Sequence, residues 1–125
     1  MRRPGLRGHA AATRMPVAEL VTALRDLLGA RLVAYLGSVR ETRAVRQWSE
    51  GTRVPGDAVV QRLRLAYQVA ALLAERDDPA VVQAWFQGLN PQLDDQAPAR
   101  LLRDSDLEAT GPQVLAAARA FAAAG

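Results

Sequence analysis

One face of a predicted helix over residues 41–50 carries four polar side chains at spacings of three, one and three residues: Arg43, Arg46, Gln47 and Glu50. An Arg side chain can donate two hydrogen bonds to guanine, and a Gln side chain can pair with adenine. Such a face has the chemistry to read base edges in a DNA major groove. Arg-rich outer faces are also common on short solvated helices, so that second interpretation stays open.

Three further residues flank this face. Arg40 and Thr42 lie at the start of the same helix, where unpaired backbone N–H groups favour a phosphate. Arg53 lies in the loop after the helix, from where it could contact a second phosphate. The spacing therefore predicts base contacts from the helix and backbone contacts at both of its ends.

The elements around this segment match what such a face needs. Val45 and Trp48 lie one turn apart on the opposite side and are predicted to anchor the helix to a core. A short helix over residues 30–36 precedes it, and we expect Gly37 to supply a positive φ in the turn. Gly51 marks the end of the helix. This arrangement is a helix-turn-helix.

The rest of the chain also shows helical periodicity. Further helices are predicted at 16–28, 57–75 and 79–87, from Pro98, and from a start signal at Thr110–Gly111–Pro112. No segment alternates with period two. We predict an all-α fold of about seven helices, in which a helix-turn-helix half (residues 15–76) packs with a small helical half (77–125). Residues 1–14 are predicted to be a disordered basic tail.

Charge and composition limit the function classes. Residues 1–74 hold twelve Arg and five acidic residues, whereas residues 75–125 hold four Arg and eight acidic residues. A basic first half suits a polyanion, and the acidic second half suggests a different partner. The chain has no Cys and a single His, and it lacks the motifs of nucleotide binding or nucleophilic catalysis. We therefore expect a cytoplasmic non-enzyme with no metal, no cofactor and no membrane span.

A candidate protein interface lies in the second half. Trp85 and Phe86 are adjacent on one predicted helix, and both cannot point into the same narrow apolar stripe. We expect one of them to be partly exposed beside the loop containing Asn90 and Pro91, which would suit a protein interface. A satisfied helical core is the alternative.

The two halves together resemble the Xre/MbcA/ParS-type antitoxins. The resemblance covers residues 17–123 and is carried, in order, by Leu36–Gly37, 45–51 (VRQWSEG), Pro55, 62–67 (RLRLAY), Trp85–Phe86, Asn90–Pro91, 98–102 (PARLL) and 114–121. The chain departs from the family pattern in a turn after Gly37 that is about two residues longer.

This resemblance implies an antitoxin that neutralises an NAD-consuming RES-domain toxin and represses its own operon. It implies operator DNA and the cognate toxin as partners, with a homodimer or a larger complex with the toxin as the assembly. Carried over by position, the toxin-binding residues are Trp85, Phe86, Asn90, Pro91, Leu101 and Leu102. The alternatives are a stand-alone helix-turn-helix transcriptional regulator and an adaptor protein that does not bind DNA.

Overall fold

The computed structural model describes residues 14–124 of the chain. This range contains seven α-helices and one 3₁₀-helix, joined by short loops. The α-helices are α1 (Val17–Leu28), α2 (Ala30–Leu36), α3 (Thr42–Glu50), α4 (Asp57–Ala74), α5 (Pro79–Gln87), α6 (Pro98–Asp104) and α7 (Leu107–Ala124). The 3₁₀-helix Pro91–Leu93 lies between α5 and α6. No strand occurs within this range, which confirms the predicted all-α class. All but the last residue of the predicted basic tail lie outside it.

A glycine follows each of the first three helices: Gly29 after α1, Gly37 after α2 and Gly51 after α3. Gly29 ends α1 with φ +83°, and Gly51 ends α3 with φ +78°, a region in which a Cβ is strained. Because these helices are only 12, 7 and 9 residues long, they depend on packing against each other and against α4 for stability. The three short helices therefore form a unit whose geometry is set by the core.

The long helix α4 is the centre of the fold. Its wide apolar stripe is buried: Leu63, Ala66, Val69, Ala70, Leu72 and Leu73. α1 packs on one side of it and α7 on another, as a stripe of this width predicts. Asp78 caps the N-terminus of α5, because its Oδ1 accepts a hydrogen bond from the Val81 backbone N–H at 3.2 Å. Pro79 is the first residue of that helix.

The last helix starts earlier than predicted. The sequence placed its start at Thr110–Pro112, but α7 begins at Leu107 and contains both Gly111 and Pro112. Leu107 packs against the core, and the Thr110 backbone N–H donates to the Asp106 carbonyl oxygen at 2.9 Å. Gly111 is buried, and a Cβ on it would lie 2.9 Å from Cδ2 of Leu65. The Gly–Pro pair therefore serves helix packing here rather than helix initiation.

One hydrophobic core joins the two halves of the described chain. Its buried members come from all seven α-helices. Gln83 on α5 donates from Nε2 to the Leu27 carbonyl oxygen on α1 at 3.2 Å, and the Arg103 guanidinium of α6 lies 4.5 Å from the ring centre of Tyr35 on α2. The predicted boundary between the two halves, at residues 76–77, thus falls in the α4–α5 connection. The hydrophobic core contains residues from both sides of this boundary. None of the described helices is long and apolar enough to cross a bilayer.

Candidate nucleic-acid interface

The inner face of α3 fixes the helix to the core. Val45 is fully buried, Trp48 is 3% exposed, and Ala44 is buried beside them. α3 packs against both α1 and α2. The Arg25 guanidinium of α1 also donates from Nη1 to Ser49 Oγ at 3.3 Å. The prediction that Val45 and Trp48 anchor this helix is confirmed.

The turn before α3 differs from the prediction in one respect. Gly37 was expected to adopt a positive φ, but its φ is −81°, and the left-handed residue is Ser38 at +58°. Gly37 is needed for a different reason, which is space. A Cβ on it would lie 2.7 Å from Cη2 and Cζ3 of Trp48. The indole ring therefore packs directly against the backbone of the turn.

The outer face of α3 and its flanks are at the surface. Arg43, Arg46 and Glu50 are exposed, and Gln47 is half-buried. The three predicted flanking residues, Arg40, Thr42 and Arg53, are exposed as well. Every residue that the sequence predicted to contact DNA is therefore reachable by a ligand on this side of the protein.

A cleft brings four of these seven residues together. It is lined by Val39, Arg40, Glu41, Arg43, Ala44, Gln47 and Arg53. The loop after α3 folds back because the Gln47 carbonyl oxygen accepts the backbone N–H groups of Thr52 at 3.0 Å and of Arg53 at 3.3 Å. Three guanidinium-bearing residues from three positions in the chain thus surround one cleft beside the N-terminus of α3. Thr42 and Arg46 do not line it.

The arginines of this surface have no direct side-chain partner in the described part of the chain. Among residues 14–124, Arg40, Arg43, Arg46 and Arg53 form no ion pair and no side-chain hydrogen bond. One ion pair joins Arg103 to Asp104 on α6, outside this surface. Because exposed guanidinium groups are planar donors for phosphate and guanine, the surface can bind a polyanion.

The predicted partner-binding residues are mostly inside the core. The expectation that Trp85 or Phe86 is partly exposed is wrong, since Trp85 is 8% exposed and Phe86 is fully buried. The two rings meet edge to face, with centroids 5.5 Å apart. Leu101 and Leu102 are also buried. Both aromatic rings fit because α5 packs against more than one neighbour, so its apolar stripe is wider than the periodicity suggested.

Asn90 and Pro91 lie at the edge of a closed loop. Asn90 Oδ1 accepts the Gln92 backbone N–H at 2.9 Å, and its own N–H donates to the Gln96 carbonyl oxygen at 3.2 Å. Pro91 is exposed. The loop is held to the core by Leu93, which sequence reasoning missed although it is the one large apolar residue in 90–96. Asn90 therefore shapes this loop, and Pro91 is on its outer side.

Most of the exposed apolar side chains belong to the second half of the described chain. Of the four large hydrophobic residues exposed in the described chain, Val81 (37%), Leu89 (76%) and Phe121 (41%) lie after residue 76, and Val54 lies beside Arg53. The Phe121 ring is 6.5 Å from the Trp85 ring, centroid to centroid. Val81 and Phe121 lie on the apolar faces of α5 and α7, and helical periodicity alone does not predict their exposure, because it does not show where a neighbouring helix ends.

Comparison of the chain with protein-family models, with curated proteins and with solved structures gives no match. In residues 14–124, no three His, Asp or Glu side chains lie close enough together to hold a metal ion. The functional interpretation therefore depends on the geometry of the surface around α3 and on the sequence resemblance.

Proposed function

We propose that this chain is a sequence-specific DNA-binding protein that inserts the outer face of α3 into the major groove. The observation that carries the proposal is the cleft in which Arg40, Arg43 and Arg53 lie together beside the N-terminus of α3, each without an ion pair, although Glu41 also lines the cleft. In support of the proposal, a helix-turn-helix needs a helix that is held by a second helix and a turn, with its inner side buried and its outer side free to enter the groove.

The predicted DNA-binding residues fall into two groups, according to whether each would contact a base or a phosphate. Arg43, Arg46 and Gln47 would face base edges, where bidentate donors give sequence discrimination. Arg40, Thr42 and Arg53 would hold the two flanking phosphates and fix the orientation of α3 in the groove. The exposed N–H groups at the start of α3 add to the phosphate contact, because no side chain caps them.

Replacing Arg43 by alanine is expected to weaken binding to the preferred duplex about 10- to 100-fold. One bidentate guanine contact or its phosphate equivalent is worth about 1–3 kcal/mol. The preferred duplex is first obtained by selection from a random 30-base-pair library, and the affinity is then measured by fluorescence anisotropy at several salt concentrations. Because Arg43 is exposed and unpaired, its replacement leaves the melting temperature nearly unchanged.

Arg119→Ala is the matched control, since it removes the same charge from an exposed position on α7, which does not pack against α3. We expect it to retain the affinity of the unmodified chain within about twofold, an allowance for the loss of one distant charge. Equal losses for the two variants would mean that net charge alone drives binding, and they would reject α3 as the reading helix.

A second proposal concerns the other half of the chain. We propose that it binds a protein, and that the chain is the antitoxin of a RES-domain toxin, as the sequence resemblance implies. The observation that favours a protein partner is the presence of Val81, Leu89 and Phe121 as exposed apolar side chains in this half. The contact would then involve these residues with Asn90 and Pro91, while Trp85, Phe86, Leu101 and Leu102 support them from within the core.

Coexpression with the neighbouring gene product tests the antitoxin proposal. We expect that product to arrest growth alone, growth to recover when this chain is present, and Leu89→Ser/Phe121→Ser to reduce the recovery. Arg43→Ala is the control and should neutralise fully, because its side chain lies on the outer face of α3 and not among the exposed apolar residues of the second half. A neighbour that is harmless alone, or that stays toxic in the presence of this chain, would leave a stand-alone transcriptional regulator as the function.

A further inference from the structure

Arg62 on α4 reaches across to the turn of the helix-turn-helix. Its Nη1 donates to the Leu36 carbonyl oxygen at 2.8 Å and lies 3.3 Å from Ser38 Oγ. Leu36 is the last residue of α2, and Ser38 is the left-handed residue of the turn. One side chain from a distant helix thus binds both sides of Gly37.

This contact completes the hydrogen bonding at the end of α2. The last four carbonyl oxygens of a helix have no partner within it. Here the turn itself satisfies three of them, since the N–H groups of Gly37, Ser38 and Val39 donate to Val33, Tyr35 and Ala34, in that order. The fourth, at Leu36, is the one that accepts from Arg62. The positive guanidinium also lies at the negative end of the α2 dipole.

Arg62 differs from the arginines of the cleft in its burial and in its hydrogen-bond partners. It is half-buried, its Nε is shielded from solvent, and its Nη1 is occupied by the turn. Arg40, Arg43 and Arg53 are exposed and unpaired. A side chain held in this way can set the direction in which the chain leaves α2, and therefore the angle of α3, without touching DNA itself.

We propose that Arg62 is a positioning residue for DNA recognition: it fixes the α2–α3 turn so that α3 presents its outer face at the angle that specific binding needs. This inference rests on the proposed DNA-binding function. It assigns to α4 a role in specificity that is distinct from its role in the core.

Arg62→Met tests the inference by separating specific from non-specific binding. We expect the affinity for the selected duplex to fall at least tenfold, while the affinity for a random duplex and the slope of log K against log salt stay unchanged. A residue that contacted a phosphate would instead lower the slope by about one unit and weaken both affinities together. That second outcome, or no change in either affinity, would overturn the proposal.

Two matched variants sharpen the test. Arg62→Lys keeps the charge and can still donate one hydrogen bond to Leu36, so its specific affinity should lie between those of Arg62→Met and the unmodified chain. Arg64→Met removes the same charge from the same helix, where Nη1 donates to the Met15 carbonyl oxygen at 2.7 Å, and should leave the ratio of specific to random affinity unchanged. If Arg62→Met does not fold, Arg62→Lys becomes the test. A ratio of specific to random affinity equal to that of the unmodified chain would then reject the positioning role.

Amide hydrogen exchange gives a readout that does not depend on DNA. The N–H groups of Ser38 and Val39 should exchange faster in Arg62→Met than in the unmodified chain, whereas those of α7 should not change. If the unmodified chain selects no duplex, the DNA-binding proposal fails, and faster exchange in the turn would still show that Arg62 holds it. Unchanged exchange at Ser38 and Val39 would remove the basis of the inference.

Discussion

Phe86→Ala is expected to lower the free energy of unfolding by about 3–5 kcal/mol, the usual cost of truncating a buried aromatic side chain. Phe86 is fully buried and packs edge to face against Trp85, so its removal leaves a cavity between α5 and its neighbours. Urea denaturation followed by circular dichroism measures the change. A loss of this size is a large fraction of the stability of a small protein.

The exposed neighbour Leu89 provides the control. Leu89→Ala should change the stability by less than about 0.5 kcal/mol, because this side chain is 76% exposed. In a toxin-neutralisation assay, Phe86→Ala should then fail through unfolding, and a Leu89 variant should fail while folded. A stable Phe86→Ala protein that no longer neutralises would show that this side chain leaves the core on binding.

Gly37→Ala is expected to lower the free energy of unfolding by about 1–3 kcal/mol, which is typical of overpacking. The backbone of Gly37 is compatible with alanine, since its φ is −81°. The cost comes from the Cβ, which would lie 2.7 Å from two ring atoms of the buried Trp48. Because the ring packs against the turn that positions α3, the same variant should lose specific DNA affinity.

Gly111→Ala tests whether the stability loss in Gly37→Ala comes from the rigid Trp48 ring. Its Cβ would also meet an atom closer than 3 Å, but that atom is Cδ2 of Leu65, the end of a flexible, half-buried side chain. Helix propensity favours alanine over glycine by about 1 kcal/mol in a helix interior. We therefore expect the net stability to change by less than about 1 kcal/mol. Equal losses in the two variants would contradict the view that the Trp48 ring cannot shift.

Local sequence signals were sufficient for the helices and for the orientation of α3. The spacing of Val45 and Trp48 defines an inner face, and Arg43 and Arg46 must then lie outside, because a helix has a fixed period. The glycine stops at Gly29 and Gly51 follow equally from local backbone preference. These features depend on residues within a few positions of each other, and the sequence therefore specifies them directly.

Features that depend on distant contacts could not be predicted in this way. The role of Gly37 depends on where the Trp48 ring lies, and the early start of α7 depends on the packing of Leu107 and Gly111 against the rest of the fold. Burial of both Trp85 and Phe86 depends on how many helices surround α5. No periodicity within one helix contains this information.

The residues of the cleft could be predicted from the local sequence, but the contacts that bring them together and position α3 could not. Arg40, Arg43 and Arg53 are recognisable from their types and positions, but their convergence depends on the fold of the loop onto the Gln47 carbonyl oxygen. Arg62 lies 26 residues from Leu36 in the chain, so the local sequence does not show which group it contacts. A charged residue inside a mostly apolar helix was the available signal.

The shared core has a consequence for the lifetime of the protein in a cell. α1 packs against α5 and α4 packs against α7, so a protease that removed the second half would strip the apolar stripe of α4 and expose Leu72 and Leu73 to water. We expect that the remaining fragment would not stay folded. Under the two proposed functions, one cleavage event would therefore end DNA binding and toxin binding together.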